Sequence, residues 1–515
     1  MRDLYNAAAW LADRNLEQGR GNRNAIVTSE GAITYQGLMR LIFRAQNALG
    51  ELGVRREERV ALVLNDEPAF PAWFLGALRS GVVPVPLSTM LKGGELGEII
   101  DDSLAQVVVM SAEYAPLLKE ITSRAPNLRA AVIVGKTDVE AGIDICKWDE
   151  LTDETEAMVA GTNRDSPAFW LYSSGTTGFP KGVMHRHYNL EATAVTYASS
   201  VLRVTEEDIF YSAAKLFFAF GLGNSLTFPF AFGATTVLDA ARATPKAIAV
   251  TATAFRPTLF FGSPGLLASI LDAGIERDVF SSFRLGVTAG EALPAEIMKR
   301  FVSEYGFPIF DGIGSTEALH IFLSNQPDAV RPGTSGRPVD GYSLKLIDDM
   351  GEEIKDADVP GYLHVRGESI ATGYWARSEA TRNAFWGPWL KTGDVYVRSE
   401  DGYYQFLGRN NDMIKMGGIW VSPAEVEGVL VEHQDVLEAA VVGSKNEDGL
   451  ETTVAFIVPR SGHIVDQASI EEHCRARMAS FKRPRTIVLV EELPKTATGK
   501  VQRYQLRSQL SNKDL

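Results

Sequence analysis

Short apolar runs alternate with helical patterns through most of the first 330 residues, and no other feature constrains the fold as strongly. Val60–Val63 leads into Pro68–Ser80, where apolar residues recur at helical spacing, and Val82–Val85 follows. Val107–Met110, Ala131–Val134, Phe169–Tyr172, Thr235–Leu238 and Thr258–Phe261 are further apolar runs bounded by turns or helices. Strands that alternate with helices build mostly parallel sheets covered on both faces. The texture changes after about residue 335. Leu344–Ile347, Tyr362–Val365 and Gly402–Leu407 are separated by Gly, Asp and Pro with little helix between them. That pattern predicts a small antiparallel barrel or sheet appended to an α/β body.

The polar, turn-prone cluster Gly408-Arg409-Asn410-Asn411-Asp412 marks a domain boundary. Beyond it, Ser422-Pro423-Ala424-Glu425 reads as a capping box with Pro at the first helical position, and Val426, Val429 and Leu430 give that helix an apolar face. Strands are expected at Leu437–Val442, Thr453–Val458 and Thr486–Val490, and a second capping box, Ser469-Ile470-Glu471-Glu472, is expected to start another helix. The expected division is therefore a body over residues 1–410 and a compact α+β unit over 411–515. The uncharged run from Leu216 to Leu238 is long enough to span a bilayer. It contains glycines, Asn224, Ser225 and Pro229 and lacks a continuous aliphatic centre, so it reads as buried core plus loops.

Charge excludes one large class. The 51 Lys and Arg stand against 65 Asp and Glu, a net charge of −14, whereas nucleic-acid binders are usually basic. From Cys474 to Leu515 the balance reverses to +7, which could set cations beside an anionic small molecule or be a solvated surface. Cys146 and Cys474 sit in no metal-spaced pattern and cannot form a disulfide framework, which fits a reducing cytoplasm. The charged N-terminal segment has no apolar signal core.

The strongest local signal is Tyr172-Ser173-Ser174-Gly175-Thr176-Thr177-Gly178-Phe179-Pro180-Lys181-Gly182. Glycines let backbone N–H groups approach an anion, hydroxyls add donors and Lys181 adds charge, as a polyphosphate cradle requires. It is not a Walker loop, because the glycine spacing differs and Pro precedes the lysine.

This loop resembles the signature of the adenylate-forming superfamily of acyl- and aryl-CoA synthetases, adenylation domains and luciferases. Further segments resemble that family in its order. They are Asp311-Gly312-Ile313-Gly314-Ser315-Thr316-Glu317, Gly361–Gly367 with Gly373-Tyr374-Trp375, Trp389–Asp394, Gly408-Arg409 through Lys415-Met416-Gly417-Gly418, and Leu493–Lys500. The resemblance implies a large N-terminal domain of two doubly wound α/β subdomains plus a small β-barrel, with a small mobile α+β C-terminal domain carrying a catalytic lysine.

It also implies ATP, Mg²⁺ and coenzyme A as reaction partners. Ser173, Ser174, Gly175, Thr176, Thr177 and Lys181 would hold the β- and γ-phosphates, Thr316 would touch a phosphate and Glu317 would bind Mg²⁺. Gly290, Glu291, Ala292, Asp311, Gly312 and Ile313 would frame the adenine, Asp394 would accept from the ribose hydroxyls and Arg409 would contact ribose or phosphate. Lys500 would bridge the substrate carboxylate and the α-phosphate. After a swing about Asn411, where the family usually has Asp or Lys, Lys415, Gly417, Gly418 and Trp420 would line the thiol tunnel. Lys482, Arg483 and Arg485 are candidates for the CoA phosphates.

Lys215–Asn224 and Glu317–Asn325 resemble benzoate- and 2-aminobenzoate-type CoA ligases. The acyl pocket would then use Ala219, Phe220, Gly262, Gly290, His320 and Ile321, with Phe218 gating the tunnel. Phe220 stands where benzoate ligases often carry Tyr. The implied activity is activation of benzoate, 2-aminobenzoate or a related aryl acid and its transfer to CoA. The alternatives are loading of a carrier-protein phosphopantetheine and a catalytically dead nucleotide binder. The expected partners are small molecules, not nucleic acid or membrane, and a homodimer is one option for the oligomeric state.

Overall fold

The run Arg59–Val63 is buried along nearly its whole length, as a strand covered on both faces must be. In the computed structural model, which describes residues 4–173, 179–416, 419–445, 451–463, 465–495 and 501–511, it belongs to an all-parallel five-stranded sheet. The order is Val83–Pro86, Arg59–Val63, Val107–Ser111, Ala130–Val134 and Asp144–Lys147. A second, nine-stranded sheet has a parallel centre made of Asn24–Thr28, Thr235–Val237, Ile209–Ser212, Leu259–Gly262, Leu285–Thr288 and Ile309–Gly314. Antiparallel strands finish its edges, Gly31–Thr34 on one side and Ile321–Ser324 with Arg337–Pro338 on the other.

The run at Phe169–Tyr172 does not join a parallel sheet. It forms Pro167–Ser173, which pairs antiparallel with Lys181–Arg186, and Gly373–Tyr374 completes a three-stranded sheet. The connection of seven residues is too short for a parallel crossover, which needs a dozen or more. The run from Leu216 to Leu238 also departs from the expectation of loops. Ala219 to Phe232 is helical throughout, almost entirely buried, and Gly233 closes it in the left-handed conformation. No helix among the described residues is long and apolar enough to cross a membrane.

After residue 335 the chain forms the expected antiparallel layer, a six-stranded sheet of Glu353–Ile354, Ser343–Ile347, Gly361–Arg366, Trp389–Arg398, Phe385–Trp386 and Tyr404–Arg409. The hairpin of Ile414–Met416 and Ile419–Val421 follows. Helix Pro423–Val431 starts as predicted, with the Ser422 hydroxyl accepting the Glu425 N–H at 3.1 Å. Val436–Lys445, Glu451–Pro459 and Thr486–Leu489 form the last sheet. Helix Gln467–Arg477 begins earlier than the Ser469 capping box implied. The Asp466 carboxylate accepts the Ala468 N–H at 3.1 Å and wins the cap, while the Ser469 hydroxyl meets His433 Nε2 at 3.0 Å. Both cysteines are free thiols, Cys146 half-buried and Cys474 buried.

Helices Tyr35–Glu51 and Ala69–Ser80 pack against each other beneath the fully buried Phe70, Trp73 and Phe74. Their closest approach is at Gly76, where a Cβ atom would lie 2.8 Å from Ala45 Cβ and 3.0 Å from the Ile42 carbonyl. Alanine is the better helix former by about 1 kcal/mol, but this crossing has no room for a methyl group. Gly76→Ala should therefore destabilise by about 1–3 kcal/mol through overpacking. Gly50→Ala, on the first helix with nothing within 4 Å, should raise or preserve the unfolding midpoint. Thermal unfolding of the two variants beside the parent checks the contrast.

Candidate active site

Open α/β sheets bind ligands beyond the carboxyl ends of their parallel strands. Leu285–Thr288 and Ile309–Gly314 are neighbours in the nine-stranded sheet, so the segments that follow them, 289–292 and 315–317, emerge side by side. Gly290 turns the first segment with φ +99°, a conformation that favours glycine. In the second, Gly314 lets the chain pass the following strand closely, since a Cβ there would lie 2.5 Å from the His320 carbonyl oxygen.

Glu317 sits where this sheet meets the antiparallel hairpin. The Tyr374 hydroxyl donates to Glu317 Oε1 at 2.9 Å and the Ser173 hydroxyl reaches the same oxygen at 3.5 Å. Burial and the Glu317 charge push the Tyr374 phenol well above its ordinary range, which keeps it a donor. The Lys181 ammonium lies 5.2 Å from the Tyr374 ring centroid, a cation–π distance. Behind Glu317, the Thr316 carbonyl accepts from Nε2 of His185 at 2.9 Å. His185 is buried, stacks on Phe169 at 4.9 Å and is held down to about 4 by desolvation, so it is a neutral support. Ser173, Lys181, Thr316 and Glu317 are thus brought together as expected. Ser174, Gly175, Thr176 and Thr177 lie outside the described residues.

Asp311 is buried one strand-length away. The Thr288 hydroxyl donates to it at 3.0 Å, and burial raises its carboxyl to about 7. Gly312 beside it is held small by Ile321, whose methyl would lie 2.9 Å from a Cβ. On the six-stranded sheet Asp394 and Arg409 are cross-strand partners, and Arg409 Nε lies 2.9 Å from Asp394 Oδ1. Arg409 also donates to the Thr392 carbonyl at 2.9 Å. The carboxylate is nearly enclosed while half of the guanidinium faces solvent.

The residues expected at the acyl site form an aromatic cluster packed around His320, which is buried. Its ring lies 4.5 Å from Phe228, 5.3 Å from Tyr197 and 5.4 Å from Phe220, centroid to centroid. Gly223 makes this possible, since a Cβ there would lie 2.3 Å from the ring. His320 Nε2 meets Asn224 Oδ1 at 3.1 Å, and desolvation lowers the imidazole to about 3. Ala219, Phe220 and Phe218 are half-buried at the start of the helical segment, and Gly262 and Ile321 are buried at strand ends nearby. Phe218 packs on Phe217 at 4.6 Å.

Sequence reasoning missed the residue that fixes this wall. Asp66, buried after strand Arg59–Val63, accepts the Leu216 N–H at 3.0 Å and lies 3.8 Å from Lys215 Nζ. Lys215 donates to the carbonyls of Asp239 and Ala241 at 2.6 and 2.8 Å. Burial raises Asp66 to about 6. Tyr374 and Asn224 stood inside quoted segments without a role, and His185 carried no local signal.

The C-terminal residues divide. The Val501 N–H donates to Glu291 Oε1 at 2.9 Å, while Lys500, Gly417 and Gly418 lie outside the described residues. Lys415 and Trp420 are backbone partners in the hairpin. Asn411 is exposed in the turn after Arg409 and is not in the left-handed conformation. The basic tail is largely spent internally. Lys482 pairs with Glu425 at 2.6 Å, Lys495 with Glu438 at 2.6 Å and Arg503 with Glu427 at 2.7 Å. Arg483 donates to the Met478 carbonyl at 3.0 Å. In this arrangement neither Lys482 nor Arg483 is held ready for an external phosphate.

Residues 13–375 match the AMP-binding enzyme family and residues 425–500 match the AMP-binding enzyme C-terminal domain. The benzoate–CoA ligase of Thauera aromatica is 44% identical over 511 residues, 98% of this chain and 96% of that protein. The solved structure of the anthranilate CoA ligase AuaEII in complex with anthranoyl-AMP is similar with a TM-score of 0.93 at 39% identity, covering 99% of this chain and 98% of that one. A benzoate CoA ligase from Burkholderia xenovorans LB400 gives a TM-score of 0.90 at 41% identity, over 98% of this chain and all of the other. With both family models in chain order and a full-length relative at this identity, the chain belongs to the AMP-binding, adenylate-forming enzyme family.

Proposed function

We propose that this protein is an ATP-dependent, AMP-forming aryl-CoA ligase that activates benzoate or a substituted benzoate such as 2-aminobenzoate. The observation that carries the reading is His320, a neutral imidazole enclosed by Tyr197, Phe220 and Phe228 three residues beyond Glu317. A flat aryl ring suits such walls. The names of the similar ligases support the same substrate class.

In the first step a carboxylate oxygen bonds to the α-phosphorus of ATP and pyrophosphate leaves. In the second, the CoA thiol gives up its proton, its sulfur bonds to the acyl carbon and AMP leaves. The protein's task is position and countercharge, because the reactants are anions. Residues 173–177 and Lys181 would hold the outer phosphates, Asp394 and Arg409 the ribose, and Gly290, Ala292, Asp311, Gly312 and Ile313 the adenine. Asp311, raised to about 7, can serve as donor or acceptor to the base. Glu317 offers a carboxylate at the phosphate corner, and one or two carboxylates plus substrate phosphates are the usual protein share of a Mg²⁺ site. The ion would neutralise phosphate charge there. Residues 1–410 would form the substrate-binding domain and residues 411–515 the mobile domain bearing Lys500, with Asn411 at the hinge. Two free cysteines fit a cytoplasmic setting.

Pyrophosphate exchange against a panel of aryl acids, repeated as thioester formation, tests the reading. Benzoate-type acids should support exchange, and free CoA should accelerate AMP release. Acceleration by a holo carrier protein alone would reassign the acceptor. Lys500→Ala should lower adenylation by about 10² or more while ATP affinity persists. Tyr374→Phe removes a donor to a charged acceptor and should cut kcat/KM for MgATP roughly tenfold, with a small drop in the unfolding midpoint.

His320 has a lowered pKa, so it is neutral at every pH well above about 3. The preference between benzoate and 2-aminobenzoate should therefore stay flat from about pH 6 to about pH 9. An inflection near the ordinary imidazole value of about 6.5, measured as a change in the kcat/KM ratio, would contradict this.

A further inference from the structure

Glu291 lies in the segment assigned to the adenine, yet its carboxylate is occupied by the other end of the chain. Val501 sits at one side of a narrow bridge, since Lys495 and Val501 are antiparallel partners and the Gln502 N–H donates to the Pro494 carbonyl at 2.7 Å. The Val501 N–H does not serve that bridge. It points out of the C-terminal unit and donates to Glu291 Oε1 at 2.9 Å. Lys495 and Arg503, on either side of the bridge, add positive potential at the same carboxylate, and Glu427 opposes them. Both cations are themselves fixed, Lys495 to Glu438 and Arg503 to Glu427, each with contacts to both carboxylate oxygens. Beside this junction the start of helix Pro264–Asp272 rests on the Glu438–Lys495 pair. A Cβ on Gly265 would lie 3.3 Å from Glu438 Oε1 and 3.6 Å from Lys495 Nζ.

The site therefore holds a half-buried carboxylate whose hydrogen bond crosses from the segment assigned to the nucleotide to the residue next to Lys500 in sequence. A carboxylate in such a place is costly unless its acceptor capacity is used. A backbone N–H is also an indifferent partner for a substrate, whereas here it fixes the chain at a point of catalytic interest.

We infer that Glu291 is a positioning residue for the adenylation step: by accepting the Val501 N–H it ties the C-terminal unit to the segment assigned to the adenine, and this contact is given up when that unit turns for thioester formation. The inference deepens the proposed function and rests on its two half-reactions. A contact made in one arrangement and absent in the other biases their equilibrium and stabilises only the first step.

The half-reactions can be measured separately. Adenylation is read as single-turnover pyrophosphate release with ATP and benzoate, and thioester formation as turnover of supplied benzoyl-AMP with CoA. Glu291→Ala should lower the adenylation rate about tenfold and leave thioester formation within about twofold. Glu291→Gln keeps an acceptor oxygen at the same reach and should recover most of the loss. Thermal unfolding of both variants should match the parent. Equal losses in the two half-reactions would overturn the inference, as would a raised KM for ATP at unchanged kcat, which would make Glu291 an adenine contact only. Inactivity of the parent with every aryl acid would instead strike the underlying reading, and Lys500→Ala serves as the control that separates these failures.

Discussion

The hydrogen bond from Tyr374 to Glu317 is the interaction on which the cleft depends. Glu317 follows the nine-stranded sheet and Tyr374 belongs to the antiparallel hairpin sheet. The same short segment is gripped twice more, by His185 at the Thr316 carbonyl and by the Ala371 N–H at the Glu317 carbonyl. Two partners from one sheet, His185 and Tyr374, and one from the loop before its third strand, Ala371, thus set the position of two residues leaving the other sheet. Because His320 comes only three residues later and the strand after it runs back beside Asp311, Glu317 and the aromatic cluster around His320 are spaced by one stiff stretch of chain. Any error in the placement of Glu317 would be passed to both ends of the substrate.

The electrostatics follow from the same burial. The chain carries a net charge of −14, and every substrate of the proposed reaction is an anion. Fixed negative charge inside the cleft would oppose them. Burial removes much of it: Asp311 is raised to about 7 and Asp66 to about 6, so each carries less charge near neutrality than an ordinary carboxyl. His185 and His320 are neutral for the same reason. The carboxylates that keep their charge stand beside partners, Asp394 against Arg409 at 2.9 Å and Glu317 under the Tyr374 hydroxyl at 2.9 Å.

Much of this was legible in the chain, and what was not has a physical cause. Parallel strands were readable because doubly covered strands are continuously apolar, as at Val107–Ser111. The hairpin at Pro167–Ser173 has the same texture, and only the length of its connection betrays its direction. Trp389–Arg398 was hidden because Lys391-Thr392-Gly393-Asp394 reads as a turn. It is a strand with Gly393 at φ +78° and an irregular register, and that distortion accompanies Asp394 in its place. The residues assigned to the nucleotide sit on local motifs, which is why the assignment could be made from sequence alone. Asp66, His185 and Asn224 act through partners 150, 131 and 96 positions away, and a single sequence records no such pairing.

The basic tail shows why composition alone misleads. Its surplus of positive charge suggested a surface for an anionic ligand, but Lys482, Lys495, Arg503 and Arg507 are matched by Glu425, Glu438, Glu427 and Asp412 from the same C-terminal unit. Each of these four pairs closes within residues 411–511. A unit that carries its own counterions can turn without stranding buried charge, which would otherwise cost several kcal/mol (about 3–5 for a broken buried pair). On the proposed turn, apolar contact and a few hydrogen bonds would break, the one at Glu291 among them. Contacts of that kind re-form at modest cost, and the proposed turn of the C-terminal unit requires anchors drawn from this class.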